Sequence, residues 1–368
     1  MRNLGRVLAL LLLLEVVGCV QQIEPLPLPG PGVPGPYAVG AVQLFVPAPV
    51  YGWEDRELSV WVWYPAKPDA SGPVADYFGN FSGDALLSAP SMSDDGPFPV
   101  LAFSHGYSGF SAQSYYLTEH LATRGFVVVA PDHIGNTLFD LGELEDWQSA
   151  LQRPKDISLA LDAALDMSEG PLSDLLDPQR MGVAGHSFGA WTSLAVSGAL
   201  TDVEVFRSRC GEPCPALEDY PQQGMVSLAD ERISVSMPLA PGGLGYLSLE
   251  GPASITTPTL IAAAELDETT PIDTEAEPIF GALTTPAAMY VLAGAGHFSF
   301  SHMCDLLPGF GDGCGEEFLD TERVFELTRL LADSFFGHHL QETERFEEFL
   351  ECAQPPWTEV SCTRNKVE

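Results

Sequence analysis

The run FVVVAPD at residues 126–132 is the feature that most limits how this chain can fold. A continuous β-branched run of this length is typical of a strand buried on both faces, as in parallel sheets. Similar runs occur at 99–105, 232–240, 257–267 and 287–297, and stretches with helical spacing separate them. Strands that alternate with helices predict an α/β fold, with one mostly parallel sheet and helices on both faces.

The remaining pattern extends this prediction toward both ends of the chain. The runs at 38–48 and 58–66 alternate apolar with polar or small residues, as antiparallel strands do. Residues 67–98 are rich in Gly, Pro, Ser and Asp and predict irregular structure. A further strand is expected at 181–187. Helices are expected at 111–125, 154–167, 189–200 and 320–340.

We therefore expect one α/β domain over residues 37–368 of this 368-residue chain. The stretch 201–231 interrupts the alternation between a helix and the next strand. It is either a small cap over an active site or a surface excursion.

The N-terminus reads as a targeting signal. Arg2 and Arg6 precede an apolar run that ends at Cys19, and such a run is too short to span a membrane permanently. The residues before Cys19 resemble a bacterial lipobox, which predicts a signal peptide over 1–19 and lipidation of Cys19. A plain secretory signal is the alternative. The Pro-rich stretch 20–36 then predicts an extended tether. Either way we expect the bacterial cell envelope or the extracellular space.

The cysteine count fits an oxidising compartment. Seven cysteines less Cys19 leave an even number, which predicts disulfides. Pairing of nearest neighbours is favoured because each pair closes one surface loop. A zinc site is disfavoured because no His lies at ligand spacing to two of the cysteines. The candidates are Cys210, Cys214, Cys304, Cys314, Cys352 and Cys362.

The chain is strongly acidic, with 51 Asp and Glu against 16 Lys and Arg and a formal net charge of −35. A field of this sign repels phosphate groups, so nucleic acid and anionic lipid are excluded as partners. We expect a monomer with a small-molecule or polymeric partner, in contact with the membrane only through an N-terminal lipid anchor.

The sequence GHSFGA fits the pattern G-x-S-x-G around Ser187. In that pattern the serine lies on a strained turn from strand to helix, and Gly185 and Gly189 let the backbone pass close on either side. The strand at 181–187 and the helix at 189–200 supply the required context. Ser187 is therefore the predicted nucleophile.

A serine nucleophile needs a base, and the base needs an orienting acid. After such an elbow the acid precedes the histidine in the chain. Asp267 ends one predicted strand, and His297 follows the next. Both would project from the same carboxyl edge of the sheet as Ser187. The competitors are Glu265, expected within its strand, Asp273, His302, His105 and His133.

An oxyanion needs preorganised N–H donors. The backbone N–H groups of Tyr107 and Phe188 are the candidates, because Tyr107 follows the first central strand and Phe188 follows the nucleophile. Tyr107, Phe188 and Trp191 could also form the wall of an acyl pocket, although packing inside a helix is the better interpretation of Trp191.

The phrases FSHGYSG, LATRGFVVVAPDH, RMGVAGHSFGA, ITTPTLIAAAELDETTP and GAGHF resemble an α/β-hydrolase. The resemblance covers roughly residues 98–300. It is to the group that contains dienelactone-hydrolase-like proteins, platelet-activating-factor acetylhydrolases and polyester-degrading cutinases. It implies the same nucleophile, acid, base and oxyanion donors. Polyester hydrolases differ by a Pro in place of His105 and an aromatic clamp in place of Gly242. Dienelactone hydrolases use Cys in place of Ser187.

The expected function is carboxylic ester hydrolysis through an acyl-enzyme, with no cofactor and no metal. A polyester hydrolase, a peptidase or amidase with the same triad, and a non-catalytic, lipid-anchored binding protein with the hydrolase fold are the alternatives.

Overall fold

A computed structural model of the chain describes residues 30, 32–79, 81–211, 213–248, 250–343, 350–352 and 358–365. The predicted signal peptide with Cys19 and most of the Pro-rich tether lie outside these residues. Within these ranges, no helix has the length and apolar character needed to cross a bilayer.

Ten strands of the described chain form one sheet, and two short strands pair separately. In chain order the strands are β1 (Ala38–Pro47), β2 (Glu57–Ala66), β3 (Leu86–Leu87), β4 (Phe98–Ser104), β5 (Val127–Pro131), β6 (Leu176–His186), β7 (Leu200–Asp202), β8 (Met225–Ser227), β9 (Ile233–Leu239), β10 (Thr259–Ala264), β11 (Ala287–Leu292) and β12 (Val360–Arg364).

The large sheet has the order β12-β11-β10-β9-β6-β4-β5-β2-β1-β3. The six strands from β11 to β5 in this order are mutually parallel. β2 and β1 extend one side as antiparallel strands, and β12 closes the other side against β11. The parallel centre confirms the predicted α/β fold. It also brings the carboxyl ends of β4, β6, β10 and β11 to one edge of the sheet.

Helices cover both faces of the sheet. They are α1 (Tyr115–Thr123), α2 (Asp146–Leu165), α3 (Phe188–Val196), α4 (Val203–Cys210), α5 (Leu244–Leu247), α6 (Ala276–Ala282), α7 (Met303–Leu306) and α8 (Thr321–Gln341). α1 and α8 bury residues such as Leu117 and Phe325 in the core on one face. α2, α3 and α6 bury residues such as Ile157, Leu194 and Ile279 on the other face. Removal of these apolar side chains from water is the main force that holds the layers together.

Several short elements were not predicted, and among the longer ones α2 and β12 differ most from the sequence prediction. α2 begins at Asp146, eight residues before the expected start at Pro154, because a capping box of Glu145 and Gln148 satisfies its first N–H groups. Pro154 therefore lies inside the helix. β12 was not predicted, because its sequence VSCTR is polar on its exposed positions and short.

The stretch 201–231 contains β7, α4, a short 3-10 helix and β8, which pairs antiparallel with β7. It packs beside α3, where Phe206 and Leu217 are fully buried in the same cluster as Trp191 and Tyr246. The segment thus supports Tyr246, whose ring stacks on that of Phe206 at a centroid distance of 5.6 Å.

Three disulfides lie in the described residues, and their pairing is the one between nearest neighbours. They are Cys210–Cys214, Cys304–Cys314 and Cys352–Cys362.

Candidate active site

The turn from β6 to α3 has the geometry of a nucleophile elbow. The backbone of Ser187 lies at φ 58° and ψ −119°, a conformation that residues other than Gly adopt only at a cost in strain. A Cβ on Gly185 would lie 2.1 Å from the carbonyl oxygen of Gly189, and one on Gly189 would lie 1.9 Å from the carbonyl oxygen of Ser104. Only glycine fits at either position, so the close passage predicted from the motif is present.

The structure brings Ser187, His297 and Asp267 together in a line of hydrogen bonds. Ser187 Oγ lies 2.8 Å from His297 Nε2, and His297 Nδ1 lies 2.8 Å from Asp267 Oδ2. All three residues are buried. Asp267 follows the end of β10 by three residues, and His297 opens a 3-10 helix after β11. Such an arrangement can remove the proton from a serine hydroxyl and stabilise the imidazolium that forms.

Thr270 holds the carboxylate of Asp267 in place. Its backbone N–H donates to Asp267 Oδ1 at 2.6 Å, and its hydroxyl lies 2.8 Å from Asp267 Oδ2 and 3.0 Å from His297 Nδ1. We did not select Thr270 from the sequence. The only local signal is its position three residues after an Asp at a strand end, where an aspartate accepts from the backbone of a turn.

Asp312 connects the loop that carries Asp267 with the loop that carries His297. Its carboxylate accepts the backbone N–H of His297 at 2.9 Å and that of Thr269 at 2.7 Å, and it also accepts the Thr269 hydroxyl. Burial alone would raise the pKa of Asp312, but the hydrogen bonds from His297, Thr269 and Glu268 lower it below its usual range. Asp312 lies in the loop that the disulfide Cys304–Cys314 closes. Nothing in the local sequence indicates this role.

His186, the last residue of β6, contacts the backbone of His297. Its Nε2 lies 2.9 Å from the carbonyl oxygen of His297, and its Nδ1 lies 3.1 Å from the side-chain amide nitrogen of Gln113. A carbonyl oxygen only accepts and an amide NH₂ group only donates, so His186 has its proton on Nε2 and accepts at Nδ1 as a neutral imidazole. Desolvation, followed by the neighbouring His297, lowers the pKa of His186 to about 3.

The backbone N–H groups of Tyr107 and Phe188 donate to no atom of the described chain. Tyr107 follows β4, and Phe188 begins α3, where the first N–H groups have no partner within the helix. Both residues lie with Ser187 on one cleft, which places the expected oxyanion donors beside the serine.

The cleft over Ser187 has a volume of about 210 Å³. Three of its lining residues are aromatic and two are glycines. Trp191 is fully buried behind Phe188, at a ring distance of 5.5 Å, and does not line the cleft. The lining residues are Tyr107, Asp146, Ser187, Phe188, Gly242, Gly243, Tyr246 and Thr270.

The position of Thr270 leaves no room for a side chain at Gly242. A Cβ on Gly242 would lie 2.4 Å from the Thr270 methyl group. A large aromatic side chain at position 242, as in polyester hydrolases, is therefore incompatible with the present position of Thr270.

The competing residues lie elsewhere. Glu265 was expected inside its strand, but β10 ends at Ala264, and the Glu265 side chain accepts the N–H of Gly294. His302 lies 3.3 Å from the carbonyl oxygen of Gln113 and stacks on Tyr115. The remaining competitors also lie outside the cleft lining, namely Asp273, His105 and His133.

The neutral, buried His186 generates a prediction about stability. The pKa of a histidine in the unfolded chain is about 6.5, so unfolding takes up a proton between pH 6.5 and the lower folded value. Because the unfolded state binds more protons, the free energy of unfolding falls as the pH falls through this window. We expect a loss of about 1.4 kcal/mol per pH unit from this residue. Urea unfolding of the wild-type chain and of His186→Gln at pH 7, 6 and 5 measures it.

In the His186→Gln variant, the free energy of unfolding should fall less steeply with falling pH, by the contribution of one proton. Equal slopes for the two proteins over the same pH range would contradict the prediction.

Comparison with known proteins gives matches of two kinds. A family model described as Chlorophyllase matches residues 82–208, which include Tyr107, Ser187 and Phe188. Cutinase 2 of Thermobifida cellulosilytica is 26% identical over 208 residues, which are 56% of this chain and 63% of that protein. Cutinase est1 of Thermobifida alba is 26% identical over 208 residues, 56% of this chain and 55% of that protein.

A bis(hydroxyethyl) terephthalate hydrolase of Streptomyces coelicolor is 26% identical over 248 residues, 66% of this chain and 64% of that protein. The chain thus matches under two thirds of the length of each of these relatives. The sheet order and the elbow after β6 are those of an α/β-hydrolase fold, and over part of its length the chain is similar to cutinases.

Proposed function

We propose that this chain is a serine hydrolase of carboxylic esters. The observation that carries the proposal is the pair of 2.8 Å hydrogen bonds that join Ser187, His297 and Asp267 at the floor of an open cleft. The similarity to cutinases supports the same reaction class.

In the proposed reaction, Ser187 Oγ attacks the ester carbonyl while His297 Nε2 accepts its proton. The carbonyl oxygen becomes an oxyanion and accepts the N–H groups of Tyr107 and Phe188. The tetrahedral intermediate collapses, and the C–O bond to the alcohol breaks as His297 returns the proton to the leaving oxygen. Water then attacks the acyl-enzyme with the same base, which releases the acid and restores Ser187. Asp267 orients the imidazole throughout.

Three disulfides fit an exported protein, because such bonds persist in oxidising compartments. We propose a location outside the cytoplasm, with Cys19 as the lipidated residue.

A polyester hydrolase is the second candidate. The names of the relatives, cutinase and bis(hydroxyethyl) terephthalate hydrolase, favour it. Tyr107, which lines the cleft, is 47% exposed, so a substrate longer than the cleft could contact its ring. The absence of a side chain at Gly242 argues for small, soluble esters.

Loss of the nucleophile or the base should abolish ester hydrolysis. We expect Ser187→Ala and His297→Ala each to lower kcat for p-nitrophenyl butyrate by roughly 10⁴- to 10⁶-fold. Because the two groups act as a unit, the double variant should be no slower than either single variant. Ser208→Ala, on the exposed surface of α4, is the matched control and should retain full activity.

Retained turnover in Ser187→Ala would overturn the proposed nucleophile. A wild-type chain that neither hydrolyses the ester nor reacts with a fluorophosphonate would favour the non-catalytic alternative. Faster cleavage of a matched anilide than of the ester would favour an amidase.

Removal of the Asp312 charge should slow the reaction without removing any group of the triad. Asn also tolerates the positive φ of 34° at this position, but its amide cannot accept all the donors that the carboxylate accepts. We expect Asp312→Asn to lower kcat/KM by about 10-fold, because the loops that carry Asp267 and His297 lose their shared anchor. Asp305→Asn, in the same disulfide loop, is the control. An unchanged kcat/KM in a folded Asp312→Asn protein would show that the anchor is dispensable.

The two candidate substrate classes can be separated directly. We expect rapid release of acid from soluble bis(hydroxyethyl) terephthalate and little soluble product from a polyethylene terephthalate film, because Gly242 provides no aromatic surface for a polymer chain. Product release is measured by chromatography, with Ser187→Ala as the blank. Comparable rates per enzyme on film and soluble ester would favour the polyester hydrolase.

A further inference from the structure

Arg153 lies in the middle of α2 and is fully buried behind the loop that follows β4. Its Nη1 donates to the carbonyl oxygen of His105 at 2.7 Å, and its Nη2 donates to that of Gly106 at 2.9 Å. Nη2 also donates to Asn136 Oδ1 at 3.0 Å. The guanidinium therefore binds two successive carbonyl groups of the loop that carries Tyr107.

The geometry of the peptide bond fixes the consequence of this contact. In a trans peptide the C=O and the following N–H point in opposite directions. The carbonyl of Gly106 points to Arg153, so the N–H of Tyr107 points away from it. His105 Nδ1 also donates to the Gly106 carbonyl oxygen, at 2.7 Å, since its Nε2 accepts the N–H of His133. Arg153 thus fixes the direction of the first oxyanion donor.

The same guanidinium contacts the second donor residue. The Arg153 carbon Cζ lies 4.7 Å from the centre of the Phe188 ring, a cation–π contact. One side chain thereby contacts both the carbonyl oxygen of the Gly106–Tyr107 peptide group and the ring of Phe188.

The charge of Arg153 has no carboxylate partner at ion-pair distance among the described residues. The nearby Asp156 forms a bidentate pair with Arg56, at 2.8 and 2.7 Å, and also contacts His133. Burial, followed by the charge of Arg153, lowers the pKa of both His105 and His133 well below the usual range. The hydrogen-bonded cluster therefore contains two guanidinium groups and one carboxylate.

An unpaired charge in the protein interior is expensive, so its presence behind this loop calls for an explanation. The developing oxyanion is an anion that forms on the opposite side of the same peptide group. A cation that hydrogen-bonds to the Gly106 carbonyl also polarises the peptide, which makes the Tyr107 N–H a stronger donor.

We propose that Arg153 is a positioning residue that orients the Tyr107 N–H group, packs against the ring of Phe188 and supplies a positive charge that stabilises the oxyanion. This inference rests on the proposed ester hydrolysis. The charge of Arg153 stabilises the transition state more than the bound substrate, because the substrate carbonyl carries little charge before attack.

The test compares Arg153→Lys and Arg153→Met with the wild-type chain. Lys keeps the charge but cannot bridge both carbonyl groups, and Met removes the charge and the donors. We expect kcat/KM for p-nitrophenyl butyrate to fall roughly 10-fold in Arg153→Lys and roughly 100-fold in Arg153→Met, with KM nearly unchanged. Should Arg153→Met fail to fold, Arg153→Lys decides the question.

Inhibitor binding separates positioning from general stability. An alkyl trifluoromethyl ketone forms a tetrahedral oxyanion with the serine, whereas the corresponding secondary alcohol does not. In both variants the affinity for the ketone should fall in parallel with kcat/KM, and the affinity for the alcohol should stay unchanged. Arg124→Lys, a buried arginine that ion-pairs with Asp333 beside α8, is the control and should bind both compounds as the wild type does.

Equal loss of ketone and alcohol binding, or a folded Arg153→Lys protein with wild-type kcat/KM, would overturn this inference and leave the proposed hydrolysis intact. A wild-type chain without ester turnover or fluorophosphonate labelling would instead overturn the proposed function itself.

Discussion

The close approach of Gly189 to the carbonyl group of Ser104 is the contact on which the site depends. Because no side chain separates the two backbones, the start of α3 lies directly on the end of β4. Ser187 therefore emerges beside the loop that carries Tyr107. The strain at Ser187, of order 1–3 kcal/mol, is opposed by the hydrogen bond from its N–H to the carbonyl of Leu239 and by the complete burial of α3.

The parallel centre of the sheet was predictable because a strand covered on both faces must be apolar along its whole length. β5 (VVVAP) and β10 (TLIAAA) are both buried along their whole length and almost entirely apolar. β12 has neither length nor apolar continuity, and its pairing with β11 depends on the end of the chain returning to the sheet. The start of α2 was missed because a proline is a good first residue of a helix. Here the apolar stripe continues to its N-terminal side, through Trp147 and Leu151.

The members of the proposed triad could be selected because each follows a strand, and strand ends at one edge must meet. Thr270, Asp312 and Arg153 follow no such rule. Asp312 reaches His297 across a disulfide loop, and Arg153 reaches Gly106 from the middle of a helix. In the sequence, a charged residue within a helix is indistinguishable from one on the solvent face. Contacts of this kind depend on loop conformations that local patterns do not determine.

The charge of the whole chain and the charge buried behind the Tyr107 loop have opposite signs. The net charge of −35 arises from many acidic groups, and salt screens such exposed charges beyond about 8 Å under physiological conditions. The guanidinium of Arg153 is buried against the peptide group that carries the Tyr107 N–H, one of the two proposed oxyanion donors, where the medium screens it far less. The acidic composition therefore governs which large partners approach the protein. In the proposed reaction, the local field at the oxyanion includes that of a buried cation, Arg153, whose sign is opposite to that of the whole chain.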